Sequence, residues 1–464
     1  MFTKPRRRRS SIFSDSRYNS YSRRRRNPLP LPLLLAALPL ALLVLELLLR
    51  LGVGLAGKGD ELNAYQGEPT IATAYRFKPF TADQQTVKGI PGYGELAVQS
   101  HPLTGYQLVP NQENAALKIN NQGLRSAADI PTNKPKNEVR ILVIGGSTAF
   151  GALTSKNAST FAQQLENRLN QQVKAQKSNP AKFRPNVLPY FADEMQKALA
   201  LPAKVRNANY RVINAAVPGY LSGNTLADFT TRLQRYQPNI VVLMNGYSDL
   251  LTPATQVATD LATDQLAAQP VSHLWGSVRE GIQGLFHHLY LTKTFRYWIL
   301  KPEPKLEQLV NPLDRSGNSL PDQLGQDDKA LKQRVDRYRN NLQQLANITG
   351  NSKIPLVVSL TPELHQRQTD KQSEAEKRRF EALGKTYQER VKTGYTALDQ
   401  AVKQVKSKRR NLIIVPLSKT INQFDGEVFQ DTIHLTDEAQ TAVSNRLYQT
   451  IAPMLLVKPK PFGS

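Results

Sequence analysis

The chemistry open to this chain turns on one serine, one histidine and one aspartate. Ser147 closes the run Ile141-Leu142-Val143-Ile144-Gly145-Gly146-Ser147. The apolar, mostly β-branched part suits a strand buried on both faces of a parallel sheet. The glycines permit a sharp turn and let backbone N–H groups approach a ligand. A serine delivered in this way to the carboxyl edge of a sheet stands where open α/β folds bind ligands. It reads as a nucleophile; the other reading is a tight strand-to-loop turn with a solvated serine. A serine nucleophile needs a base within hydrogen-bond reach and a group that orients the base. Of six histidines, His101 lies in a turn-rich region, His273, His287 and His288 in an apolar, aromatic stretch, and His365 after a strand. His434 stands in Asp431-Thr432-Ile433-His434-Leu435, directly before a helix. In a turn, that spacing lets the Asp431 carboxylate reach the ring, fix its tautomer and stabilise the imidazolium. A structural histidine near a helix start is the alternative.

The elements that must position these residues alternate as strands and helices from residue 138 onward, which predicts a parallel α/β sheet. Strands are expected at 140–144, 211–214, 240–244, 355–360 and 412–415. Helices are expected at 226–236, 329–348, 372–408 (highly charged, read as one long solvated helix) and 436–456. The loop after the second strand carries Gly219, and the loop after the third opens onto Asn245-Gly246-Tyr247-Ser248-Asp249. In a parallel sheet these loops share one edge with Ser147. An oxyanion there would find the Ser147 N–H, the Gly219 N–H and a side-chain donor from the third loop, all aimed at one place.

Gly145-Gly146-Ser147-Thr148, the Asn214-to-Gly219 spacing, Gly246-Tyr247-Ser248-Asp249 and Asp431-x-x-His434 resemble, in order, the four blocks of the SGNH (GDSL-like) hydrolases over roughly residues 138–456. The resemblance implies a three-layer α/β/α fold with a parallel sheet (SGNH/flavodoxin-like). It implies Ser147 as nucleophile, His434 as base and Asp431 as its orienter, with the Ser147 and Gly219 N–H groups in the oxyanion hole. The family's third block carries an Asn donor where this chain has Ser248, a shorter donor; Asn245, three residues earlier, is a substitute candidate. Loss of such a donor can cost about 3 kcal/mol of barrier. Asp249 is read as structural, holding loops by hydrogen bonds.

The N-terminal part is organised differently. Residues 1–27 hold ten Lys/Arg and one acid and read as a disordered basic tail. Residues 28–45 carry no charge and are leucine-rich, and apolar residues continue to about 56. A transmembrane helix over 28–56 is expected, with Pro39 as a kink and a Glu46–Arg50 pair near its far end. The arginines before it should stay in the cytoplasm, leaving the main domain extracytoplasmic in a single-pass protein. A cleaved signal peptide is the competing reading. Residues 57–137 read as an extended apron with turns at His101–Tyr106 and Asn120–Arg125. The SGNH-like domain is expected over 138–457, with insertions about 175–208 and 252–325 and a candidate lid at 270–300. The span, the apron and Asn120-x-x-Gly123-Leu124-Arg125 also resemble membrane-anchored bacterial members of the family. That resemblance implies acyl-ester substrates of the cell envelope, among them O-acylated polysaccharide.

The formal charge of +24 does not imply nucleic acid, because the tail concentrates it and no nucleic-acid motif is present. Cysteine is absent, which excludes thiolate catalysis, disulfides and Cys-ligated zinc. No two histidines have helix-borne zinc spacing, and no metal or cofactor is expected. Two rivals remain: an anion-binding turn at Gly145–Thr148, which lacks dinucleotide and P-loop spacing, and a degenerate hydrolase fold that binds or scaffolds an envelope complex.

Overall fold

A computed structural model describes residues 31–59, 70–80, 94–254, 289–300, 307–310 and 318–463, with 62, 83 and 312 singly. The basic tail, the first residues of the expected span and most of the candidate lid, with His273, His287 and His288, lie outside the described residues. The chain divides into two compact units, Met1–Gly59 and Asp60–Ser464.

In the first unit a helix, α1, runs over Leu31–Leu55 and continues through Pro39. Its side chains are described from residue 40, and Arg50 Nε donates to Glu46 Oε1 at 2.9 Å. Among the described residues no helix is long and apolar enough to cross a membrane.

In the second unit a short helix, Thr70–Tyr75, leads into a three-stranded sheet of β1 (Phe77–Phe80), β2 (Leu96–His101) and β3 (Gly105–Leu108), then a small pair, β4 (Gln112–Glu113) and β5 (Lys118–Ile119). The turn at 101–106 joins β2 to β3 as the spacing predicts. The main sheet follows: β6 (Glu138–Gly145), α2 (Phe161–Ser178), α3 (Ala192–Ala200), β7 (Asn209–Asn214), α4 (Ser222–Thr231), β8 (Ile240–Asn245), α5 (Asp328–Asn351), β9 (Leu356–Leu360), α6 (Gly384–Lys408), β10 (Leu412–Ile414) and α7 (Asp437–Ile451). Its order is β10-β9-β8-β6-β7, all parallel. The first strand is thus flanked by the second and third, so the chain reverses direction between β6 and β8. Ligands of open parallel sheets bind outside the carboxyl ends at such a reversal, and Ser147 follows β6 there.

All eight residues of β6 are buried, as a central strand covered on both faces requires. Alternate side chains go to opposite sides. Ile141 and Val143 pack in a core with Leu165 and Leu169 of α2 and Val443 and Leu447 of α7. Leu142 and Ile144 pack with Phe229 of α4, Leu342 of α5 and Leu398 of α6. This is the expected three-layer α/β/α arrangement.

The long charged helix expected over 372–408 is two helices, Glu374–Ala382 and α6, broken at Gly384, whose φ of +76° suits glycine. Its second half is not a purely solvated face, because Val391, Leu398, Val402 and Val405 are buried. The helix expected over 226–236 instead runs as α4 from Ser222 and tightens into a 3₁₀ turn at Leu233–Tyr236. Thr436 caps α7, accepting from the Ala439 N–H at 3.2 Å.

Candidate active site

Gly145 makes the turn at the end of β6 possible. Its φ is +141°, and a Cβ there would sit 1.9 Å from the Met244 carbonyl oxygen of β8. Only glycine lets the two strand ends approach this closely. Ser147 then starts a one-turn helix, Ser147–Phe150, and is 2 % exposed. Thr148 Oγ1 donates to the Ile433 carbonyl at 3.1 Å. The residue after Ser147 is therefore bonded to the residue before His434, across 285 positions of sequence. Gln430 Nε2 to the Leu153 carbonyl, 3.0 Å, and Ser155 N–H to Asp437 Oδ1, 3.1 Å, extend the same seam.

His434 Nδ1 lies 2.5 Å from Asp431 Oδ2, while Asp431 Oδ1 accepts the N–H groups of Ile433 (2.9 Å) and His434 (2.7 Å). Burial alone would raise the Asp431 carboxyl. The facing imidazole and the hydrogen bonds outweigh it and hold the group below its ordinary value. One carboxylate oxygen thus shapes the turn and the other holds the ring. With Nδ1 so engaged, Nε2 is the position left to take a proton. His434 Nε2 and Ser147 Oγ are both buried and, among the described residues, without a hydrogen-bond partner. Buried polar atoms without partners each cost about 1–3 kcal/mol. Such costs are retained where chemistry needs the atoms free.

The oxyanion candidates converge on the same point. A Cβ at Gly146 would lie 3.3 Å from the Tyr220 carbonyl oxygen and 3.8 Å from Ser248 Oγ. The turns after β6, β7 and β8 therefore meet at Gly146. Among the described residues neither the Ser147 N–H nor the Gly219 N–H donates a hydrogen bond. Gly219 has φ +77°, and a Cβ would meet the Tyr106 hydroxyl at 2.7 Å. Ser248 is half-buried in the short helix Tyr247–Leu251. Asn245 is the last residue of β8, with its carbonyl accepting from the Thr361 N–H at 2.9 Å and its Oδ1 buried without a partner among the described residues. Of the two, Ser248 is the side chain that borders the Gly146 turn.

Asp249 has the structural part expected of it. It accepts from the Ser222 N–H (3.0 Å) and hydroxyl (2.6 Å) and faces Arg337 Nε at 3.7 Å. Burial lifts its carboxyl above the ordinary value despite Arg337 and Ser222. Asn214 is structural too: its Nδ2 donates to the Phe150 carbonyl at 3.1 Å, holding the helix that carries Ser147.

Three supports carried no local signal. Arg125 lies in an expected turn, yet its guanidinium is buried. It donates to the carbonyls of Phe150 (3.0 Å) and Gly151 (2.7 Å), to the Tyr75 hydroxyl (2.7 Å), to Thr154 Oγ1 (2.9 Å) and to Asn157 Oδ1 (3.0 Å). Burial lowers its pKa, partly opposed by Tyr75. The Tyr106 hydroxyl of β3 donates to the Pro218 carbonyl at 2.6 Å, and the Tyr220 hydroxyl returns a bond to the Tyr106 carbonyl at 2.5 Å. The apron thereby sets the turn that holds Gly219. Beside the His434 loop, the Leu364 N–H donates to the Thr432 carbonyl at 2.9 Å. Next to it Glu363 pairs with His365 and accepts from the Tyr387 hydroxyl at 2.8 Å, which is 2.7 Å from the Tyr247 hydroxyl. Burial pushes both tyrosines well above their ordinary values, so they serve as hydroxyl donors and not as phenolates.

The family model described as GDSL-like Lipase/Acylhydrolase matches residues 314–447. The matched stretch holds β9, β10, Asp431 and His434 but stops short of Ser147, Gly219 and Ser248, so the link between the two halves of the site rests on the seam described above. No curated protein matches the chain. Among solved structures, it is similar to the acetyl xylan esterase AlAXEase (9 % identity, 68 % of this chain and 100 % of that one, TM-score 0.33). It is similar also to the lipase/acylhydrolase from Enterococcus faecalis (14 %, 70 % and 98 %, 0.31) and to TesA (13 %, 68 % and 99 %, 0.31). At such scores nothing about substrate follows from these likenesses. Among the described residues no group of His, Asp and Glu is placed to hold a metal.

Proposed function

We propose that this protein is a membrane-anchored serine ester hydrolase or O-acyl transferase working on acyl esters outside the cytoplasm. The observation that carries the reading is the Asp431–His434 pair bonded to the Ser147 segment, with Ser147 Oγ and His434 Nε2 both buried and unspent. In the proposed reaction, Ser147 Oγ attacks the ester carbonyl carbon and its proton passes to His434 Nε2. Asp431 stabilises the imidazolium. The Ser147 and Gly219 N–H groups and the Ser248 hydroxyl receive the oxyanion. Collapse breaks the C–O bond to the alcohol, which leaves with the proton from His434. The acyl-enzyme then passes its acyl group to water or to a sugar hydroxyl, with His434 as base. Exclusion of water decides between the two, and an O-acylated polysaccharide is the proposed substrate class. Ser248, shorter than an amide donor, favours a second reading, a fold that binds without turning over.

Anchoring is supported by the uncharged, leucine-rich sequence of residues 28–45. The basic residues ahead of it orient the amino terminus to the cytoplasm.

The test is peptide mapping after brief exposure of the protein to p-nitrophenyl acetate. An acetyl adduct on the Ser147 peptide, absent in Ser147→Ala, is expected. No adduct on a folded chain, or turnover unchanged in Ser147→Ala, overturns the catalytic reading and leaves the binding one. Protease added to intact cells should degrade the domain beyond residue 60; full protection overturns the extracytoplasmic placement.

A further inference from the structure

The segment between α2 and β7 and the carboxyl terminus form one surface. Leu188 N–H donates to the Lys460 carbonyl (2.9 Å), Lys460 N–H to the Asn186 carbonyl (2.8 Å) and Val457 N–H to the Lys204 carbonyl (2.9 Å). Backbone pairing therefore fixes the two segments side by side. On this scaffold Tyr190, Phe191 and Phe462 are 73 %, 63 % and 64 % exposed. They are not loose side chains: the Tyr190 ring is 5.5 Å from Phe191 and 5.6 Å from Phe462, edge to face. Val187, Leu456 and Val457 are exposed on the same two segments. A soluble surface does not ordinarily gather large apolar side chains in one patch.

The charge on these two segments has one sign in excess. Residues 179–207 carry Lys182, Arg184, Lys197, Lys204 and Arg206 against Asp193 and Glu194, and residues 452–464 add Lys458 and Lys460 with no acid. Seven cations against two acids leave +5. Exposed aromatics on segments rich in lysine and arginine match the boundary of an anionic bilayer, where rings sit at headgroup level and cations meet lipid phosphates.

We propose that this face docks on an anionic lipid surface. The patch lies at the amino edge of the main sheet, where α2 ends and β7 begins, opposite the edge that carries Ser147. Docking would therefore turn the Ser147 edge away from the bilayer. The length of β6, eight residues, sets the reach between the edges at roughly 26 Å. If the proposed ester chemistry holds, its substrates then lie off the membrane and are not bilayer lipids; the docking itself does not depend on that chemistry.

The chain has no cysteine, so one introduced thiol gives one label. The full chain is reconstituted in phosphatidylcholine vesicles, with and without phosphatidylglycerol. An environment-sensitive dye is placed at Ala192→Cys in the patch or at Leu103→Cys in the apron. The expected result is a blue shift of the Ala192 label only with phosphatidylglycerol, reversed by high salt, and none at Leu103. Lys182→Glu, Lys197→Glu, Lys458→Glu and Lys460→Glu should weaken it about fivefold for each cation removed. A label indifferent to phosphatidylglycerol, an equal shift at Leu103, an undiminished shift in the charge variants, or a shift that follows protein concentration without vesicles each overturns the proposal. Flotation with phosphatidylcholine alone reads the anchoring helix separately. Ester turnover of the same samples reads the catalytic proposal, so each failure is distinguishable.

Discussion

Asp431→Asn is the perturbation with the most determinate outcome. Asparagine keeps Oδ1, so the bonds from the Ile433 and His434 N–H groups that shape the turn are preserved. The change falls on the other atom. Where Oδ2 accepts from His434 Nδ1, 2.5 Å away, an amide NH₂ can only donate. The ring is driven to the tautomer with its proton on Nε2 and can no longer take one from Ser147. In a Ser-His-Asp triad such a change lowers kcat by about 10⁴-fold, which is about 5 kcal/mol of barrier. KM should change little, because the ester does not touch Asp431. Stability shifts with a definite sign. The folded Asp431 pKa is depressed, so its contribution is full above the ordinary carboxyl range near 3.9 and is lost as pH falls through the folded value. The variant should therefore be less stable than wild type at neutral pH, with the gap closing in acid. The assay is p-nitrophenyl ester turnover with thermal unfolding at pH 7 and pH 3. A folded Asp431→Asn that keeps more than a tenth of wild-type kcat would show that Asp431 does not set the His434 tautomer for catalysis.

Three further outcomes follow from the same geometry. Ser248→Ala should lower kcat by about 10²-fold with KM nearly unchanged, as loss of an oxyanion donor does; steady-state kinetics would show it, and an unchanged kcat would remove Ser248 from the site. Gly145→Ala forces a Cβ into the Met244 carbonyl and should cost about 4 kcal/mol or more, read as a fall in Tm or loss of soluble protein; a Tm within a degree of wild type would be the contrary result. Arg125→Lys keeps the charge but not the fork that reaches five acceptors, and should cost about 3 kcal/mol. Chemical denaturation measures that loss, and a variant as stable as wild type would contradict the bonding described.

What the sequence made legible was local. The apolar run into Gly145-Gly146 announces a buried strand and a sharp turn, and both are present. Asp431 and His434, three apart before a helix, are in bonding contact because a turn that short leaves few other places for the carboxylate. The alternation of strands and helices implied a parallel sheet with the loops after β6, β7 and β8 on one edge, and the Gly146 turn is where they meet. What escaped reading was long-range. Arg125 touches residues up to 50 positions away and Tyr106 a carbonyl 112 positions on, and no periodicity encodes such pairs. The break at Gly384 was hidden because charged residues on both sides keep a helical pattern going across it. Burial of one face of α6 was masked in the same way, since its apolar residues are interleaved with lysines.

Activation of Ser147 by His434 is tested most directly by labelling the full chain with a fluorophosphonate probe. A covalent adduct on Ser147 is expected in wild type, none in Ser147→Ala and a rate sharply reduced in His434→Ala. A folded wild-type chain that takes no label, or one that labels equally fast without His434, would contradict it.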